Sequence, residues 1–266
     1  NETPHLTDAT IQPVSRTAPG RLLRLTLWAQ LGFASVLFSS DLARVLPQLA
    51  GPSAAPQITE PPRPGDQTRR FDPARVPQRE ASPSTRPLPN TGDMPSRLQF
   101  DSVTWEGRPT LTLTGAIEVG DATRLTDYLE TAETPAVVFV NSPGGSVTDA
   151  LSIGQTLRDL GSETAMSDAD VCLSACPYIL AGGTPRTIPE GAWVGVHHHY
   201  FGILTALPAF LAVEAIQRGQ GEVMAYLDEM GIDPLVMQHA LVTPPDEIYL
   251  LTQDELMTYG FLSSEP

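Results

Sequence analysis

The sequence predicts an α/β domain with a largely parallel sheet, preceded by an apolar helix and a disordered linker. Three observations lead there. From Leu98 onward, short apolar or alternating runs of strand character take turns with segments of helical length, the pattern of layered strands and helices. Near the N-terminus, Leu25–Ser40 contains no charged residue. Between these regions, residues 51–97 carry eleven prolines and few large apolar side chains. Such a stretch buries too little surface to offset its ordering entropy.

The charge divides along similar lines. Residues 1–97 hold 11 Arg against 8 acidic residues, and residues 98–266 hold 5 Arg against 23, giving a net charge of −15. So acidic a C-terminal part repels phosphates and argues against nucleic acid as a partner. All 16 basic residues are Arg, which removes every mechanism that needs a lysine base or a Schiff base. Two cysteines, Cys172 and Cys176, are too few for a disulfide framework or a zinc site of their own.

In chain order, residues 1–20 form a polar tail. Residues 21–50 are expected to be a membrane anchor. The charge-free core of 16 residues makes about 24 Å of helix, short of a hydrocarbon layer of about 30 Å unless Leu22 and Leu23 join it with Arg24 snorkelling. Arg16, Arg21 and Arg24 precede it, which places the N-terminus in the cytoplasm and the rest outside. A cleaved signal peptide and an amphipathic helix packed on the domain are the competing readings. Residues 51–97 are expected to be an extended spacer, and residues 98–266 the folded domain.

Within that domain, Leu98–Trp105 and Thr110–Thr114 alternate as strands across a Glu106-Gly107 turn. Asp121 is placed to cap a helix carrying Leu125 and Leu129. Ala136–Val140 is an apolar strand, and Ser146 with Asp149 resembles a capping box for a helix reaching Leu160. A strand near Thr164, a helix at Ser174, a strand Trp193–His197 and a long helix Leu207–Met230 follow. Thr252 and Glu255 cap the last helix, which Gly260 ends.

The chemistry concentrates between Ala136 and Tyr200. The strand AVVFV runs into a Pro-Gly-Gly turn, where a missing Cβ lets backbone N–H groups approach a ligand. Ser174 lies among small residues, and His197 ends a second apolar run. A serine, a histidine and a glycine turn are the minimum set for acyl transfer. Ser174 also suits a plain helix-capping role. The run His197–His199 could in principle bind metal, but no carboxylate or cysteine stands at evident ligand spacing.

VNSPGGSVTDALSIGQTLRDLG, CLSAC and IPEGAWVGVHHH together resemble the Clp protease proteolytic subunit and its crotonase-type relatives. The similarity runs through residues 111–262 and is nearest in kind to the exported, membrane-associated Clp-protease-like proteins of bacteria. The resemblance implies a ClpP/crotonase-like spiral of ββα units. It makes Ser174 the nucleophile and His197 its base, with the N–H groups of Gly145 and Ala175 as the oxyanion hole and Gly144 and Ser146 lining the substrate. The segment YLLTQDELMTYG aligns Pro244 with the family's acid, so Asp246 is the expected third member, with Glu247 behind it. It also implies a homo-oligomer or membrane-complex subunit acting on peptides or proteins, with no cofactor.

Cys172 and Cys176 flank Ser174 and could bridge if Cys172 precedes the helix, which an oxidising compartment favours; two small buried residues are the alternative. The sequence-level conclusion is a peptidase in the bacterial inner membrane with its catalytic domain in the periplasm. A non-catalytic scaffold of the same fold and an acyl-thioester enzyme are the rivals.

Overall fold

In the computed structural model of the chain, the apolar N-terminal segment is a single helix, α1 (Ala18–Ala50). The structure describes residues 18–50, 53–58, 62–76, 79, 86–89, 92–198 and 209–262, in two units, Asn1–Pro52 and Ser53–Pro266. The apolar part of α1, Gly20–Ser40, has 21 residues with a mean hydropathy of 1.4, and its side chains are all exposed. At 1.5 Å per residue that is about 30 Å, a hydrocarbon thickness. Among the described residues it is the one helix long and apolar enough to cross a membrane. The helix extends past both ends of the charge-free core, which removes the shortfall in length.

The second unit begins with β1 (Thr68–Arg70), β2 (Gln99–Trp105), β3 (Arg108–Thr114), α2 (Asp121–Leu129) and β4 (Val137–Asn141). Then come α3 (Val147–Leu160), β5 (Glu163–Ala165), β6 (Val171–Leu173), α4 (Cys176–Gly182), β7 (Arg186–Thr187) and β8 (Trp193–Val196). The last elements are α5 (Ala209–Glu229), α6 (Met237–Val242), β9 (Glu247–Leu250) and α7 (Gln253–Thr258).

Among the described residues the strands form two sheets, in the orders β2-β3-β4-β5-β7 and β1-β9-β8-β6. β3, β4, β5 and β7 run parallel, as do β6 and β8. The β2–β3 hairpin is antiparallel and turns through Glu106 (φ 50°) and Gly107 (φ 76°), the left-handed pair that suits a two-residue hairpin loop. β4 is buried at Val137, Val138 and Val140, as a parallel strand covered on both faces must be. The sheets meet where Ser142 donates its N–H to Val171 O (2.8 Å) and accepts from Leu173 N (3.0 Å).

The helix caps follow the sequence in part. Thr252 and Glu255 make a full capping box at α7. At α3, Ser146 Oγ accepts from Asp149 N, but the Asp149 carboxylate turns to the preceding helix, accepting from Gly120 N and Ala122 N at 3.0 Å. Gly120, not Asp121, is therefore the cap residue of α2. Asp121 is fully buried and takes Arg97, Arg124 and the N–H of Glu118 instead.

Described parts of the proline-rich stretch pack on the domain. β1 pairs antiparallel with β9, Thr68 opposite Tyr249 and Arg70 opposite Glu247. Ile58, Phe71 and Val76 are buried in an apolar cluster with Leu173, Trp193 and Ile248. Arg86 forms a buried ion pair with Asp170, and Arg79 lies over the Trp193 ring at 3.7 Å. An expected spacer here becomes a strap because three or four apolar side chains, each worth about 2 kcal/mol when buried, outweigh the local propensity of the prolines. The folded unit thus begins at Ser53, ahead of the expected boundary at 98.

Candidate active site

Three parallel strands, β4, β6 and β8, end side by side, and the chain leaving each of them supplies one part of the site. Strand C-terminal ends at a sheet junction are where layered α/β folds leave room for ligands.

β6 ends at Leu173, and α4 starts at Cys176, so Ser174 sits in the sharp turn between them. Its φ of 60° is left-handed, a conformation that costs a non-glycine residue about 1–3 kcal/mol and persists only where the surroundings impose it. Here Ser174 N donates to Gly195 O at 3.0 Å, which ties the turn to β8. A disulfide between Cys172 and Cys176, with Cα atoms 5.0 Å apart, closes the turn from β6 to the first residue of α4. Cys172 therefore does precede the helix, the condition under which the sequence allowed a bridge.

β4 ends in the Ser142–Gly145 turn. Gly144 has φ +96°, and a Cβ there would stand 2.5 Å from Leu173 O, 2.5 Å from Ser174 Cβ and 2.9 Å from Ala175 N. The glycine is what lets this backbone press against the serine turn. Gly145 (φ +141°) bridges to Ile117, and a Cβ would fall 2.0 Å from Ile117 O. Because Ile117 bonds to Gly144 O and Ser146 N, the N–H of Gly145 points away from Ile117. Among the described residues, neither the Gly145 N–H nor the Ala175 N–H has an acceptor. Both are the donors expected of an oxyanion hole.

Gly144 and Ser146, expected to line the substrate, direct their polar groups into the fold. Gly144 N donates to Ser142 Oγ (3.1 Å), and its carbonyl accepts from Ile117 N (2.8 Å). Ser146 gives its N–H to Ile117 O (2.7 Å) and its hydroxyl to Asp149 (2.6 Å). Their polar groups are spent within the fold, on the turn and on the α3 cap.

β8 delivers His197. Its Nε2 is 2.7 Å from Ser174 Oγ, and its ring is buried. Burial, then the neighbouring His198, lowers its pKa from 6.5 to about 4, against the carbonyls of Pro244 and Pro245, which raise it. The imidazole is thus neutral near pH 7, the form a general base requires. His199 and residues 200–208 lie outside the described residues.

The acid side departs from expectation. Nδ1 of His197 is buried without a hydrogen-bond partner among the described residues. The backbone carbonyls of Pro244 and Pro245 come close enough to the ring to favour its protonated form as hydrogen-bond acceptors do, but neither meets the full geometry of a bond to Nδ1. Asp246, the expected third member, has an exposed side chain, and its backbone carbonyl accepts from Phe71 N at 2.8 Å. Glu247, the reserve, accepts from Ser53 Oγ at the start of the strap. Sequence reasoning missed Phe71, whose ring centre is 5.1 Å from that of His197 at 74°. Nothing in Thr68–Phe71, three polar residues and a phenylalanine inside a proline-rich run, marks a strand.

A search of curated proteins finds no significant match to this chain. Residues 110–206, about a third of the sequence, match the family model of Clp protease. The match runs from β3 past His197 and so includes the SPGG turn, Ser174 and the base, while the 244–246 loop lies beyond it. The order of these parts and the layered α/β architecture agree with that match, and residues 110–206 are similar to the Clp protease family.

Proposed function

We propose that this chain is a serine peptidase that cleaves short or unfolded peptides without an ATPase, anchored by residues 21–50 with its catalytic domain in the bacterial periplasm. The observation that carries the reading is the 2.7 Å approach of His197 Nε2 to Ser174 Oγ, on a serine held at φ 60°. Ser174 Oγ attacks the peptide carbonyl carbon while its proton passes to His197 Nε2. The N–H groups of Gly145 and Ala175 receive the oxyanion. The imidazolium then gives its proton to the departing amine, and water, deprotonated by the same nitrogen, releases the acyl group from Ser174.

Several features support the location. α1 is long and apolar enough to span a bilayer, and Arg21 and Arg24 stand at its N-terminal end. The Cys172–Cys176 disulfide fits an oxidising compartment. A periplasmic site has no ATP, hence the short or unfolded substrates.

One observation favours a second reading, a non-catalytic binding protein of the same fold: His197 Nδ1 has no carboxylate partner among the described residues. Labelling the detergent-solubilised full chain with a fluorophosphonate separates the two. Ser174 should be labelled. Ser174→Ala should abolish labelling, and His197→Ala should slow it by about 100-fold or more with the fold retained. A folded wild-type protein that takes no label would favour the binding protein.

A further inference from the structure

Phe71 reaches the imidazole from a part of the chain remote from every catalytic motif, and its seat there is well determined. Phe71 N donates to Asp246 O (2.8 Å), Arg70 N donates to Pro56 O (2.7 Å), and Gln67 O accepts from Leu250 N (3.0 Å). The first and third bonds bracket β1 on β9, and the second ties β1 to the start of the strap. The side chain is 6% exposed and packs with Leu173, the residue before the serine, and with Trp193 at the start of β8. Its ring meets His197 in a T-shaped contact. One aromatic group thus touches the base and shares a cluster with both strands that carry the Ser–His pair.

In a serine triad the acid keeps the imidazole from rotating and selects the tautomer with hydrogen on Nδ1. Among the described residues Nδ1 lacks such a group, yet the ring stays aligned with Ser174 Oγ. We propose that Phe71 is the positioning residue for His197, holding the ring by aromatic contact and dry packing where other sites use a carboxylate. The inference rests on reading Ser174 and His197 as the catalytic pair.

An aromatic contact orients the ring but offers no charge to stabilise the imidazolium. Burial of the ring, which lowers its pKa, therefore goes uncompensated by an opposite charge among the described residues. The groups that act on it are His198, which opposes its charge, and the carbonyls of Pro244 and Pro245, which favour it. On the strap, Arg69 shares Phe71's side of β1 but is turned back onto Asp66 (3.1 Å). On the β9 side, the Asp246 carboxylate is exposed. Removing Phe71 admits water to the ring, so its pKa rises from about 4 toward the ordinary 6.5.

The test compares full-length wild type, Phe71→Ala and Phe71→Leu with two readouts across pH 3.5–8 (about the range that brackets both pKa values). One is the rate of fluorophosphonate labelling at Ser174. The other is carbethoxylation of His197 by diethyl pyrocarbonate, read by peptide mass spectrometry, which needs no catalysis. Phe71→Ala should label about tenfold more slowly, with its acid limb moved up toward 6.5 and His197 newly reactive. Phe71→Leu, which keeps water out but loses the ring contact, should slow labelling less and keep the low acid limb. Slower labelling of Phe71→Ala with an unmoved limb and unchanged His197 reactivity would mean a structural role alone and overturn the proposal. If Phe71→Ala does not fold, Phe71→Leu decides, and wild-type behaviour in both readouts overturns it. If wild type takes no label, the peptidase reading fails, and carbethoxylation still decides whether Phe71 shields the ring.

Discussion

The two sides of His197 are built on different principles. Toward Ser174, the geometry is set by backbone. Gly144 presses on the serine turn, Ser174 N is tied to Gly195 O, the disulfide closes the turn, and two N–H groups are open where an oxyanion would form. Away from Ser174, nothing comparable exists among the described residues. Nδ1 is buried and unpaired, the nearest loop shows it proline carbonyls, and the stabilising contact is an aromatic ring from the strap. A covalent step depends on a nucleophile placed within tenths of an ångström, whereas a base can work with looser support at lower efficiency. The contrast indicates which half of the site tolerates change.

The sharpest way to break the nucleophile side is Gly144→Ala. The new methyl would meet Leu173 O and Ser174 Cβ at 2.5 Å in a conformation, φ +96°, that L-residues avoid. Relief requires moving Leu173 and Ser174 themselves. We expect fluorophosphonate labelling to fall by about a thousandfold and the melting temperature to drop, as for a loss of about 3 kcal/mol or more. Labelling within tenfold of wild type would mean the turn is far less constrained than its contacts imply.

This contrast also explains what the sequence made legible. The SPGG turn, Ser174 and His197 were readable because a close backbone approach admits only glycine and because the three motifs lie within the stretch the family model covers. The Thr252–Glu255 box was readable because its partners are three residues apart. Ser146 and Asp149 showed a cap in their spacing, but not that Asp149 would serve α2, since that depends on which helix end comes alongside. Phe71 was invisible for a stronger form of the same reason. A three-residue strand among prolines has no propensity of its own and exists only because β9, far along the chain, offers an edge. Asp246 looked right by proximity in sequence, but its side chain is exposed and its carbonyl is taken by Phe71 N.

A middle-sized effect is expected from opening the disulfide. In Cys172→Ala/Cys176→Ala the small cross-linked loop is lost, worth about 2 kcal/mol on chain-entropy grounds. Both cysteines are fully buried, and alanine fits their space with little clash. The serine turn keeps its bonds from Ser174 N to Gly195 O and from Leu173 N to Ser142 O. Labelling should therefore slow by only about tenfold, with a lower denaturation midpoint in urea. An unchanged midpoint would show that the turn holds its shape without the bridge. A labelling loss as large as that of Gly144→Ala would show that the bridge, not the glycine contact, places the serine.

The smallest effect should come from Asp246→Asn, where a triad would produce one of the largest. An acid bonded to Nδ1 fixes the tautomer and stabilises the imidazolium, and its amide replacement costs about four orders of magnitude. Asp246 cannot do this from its present place. Its side chain is exposed, and Nδ1 has no partner among the described residues. The contact that matters at this residue is its carbonyl on Phe71 N, which the substitution leaves intact. Asp246→Asn should label within about threefold of wild type, while Phe71→Ala should be slower than either. The two rates measured side by side sharpen the comparison, because only their order distinguishes aromatic from carboxylate support. A fall of about ten-thousandfold in Asp246→Asn would mean that the loop turns over when substrate binds, releasing Phe71 and bringing the carboxylate to Nδ1. The strap would then be a contact that catalysis must break, and Phe71→Ala should speed labelling instead of slowing it.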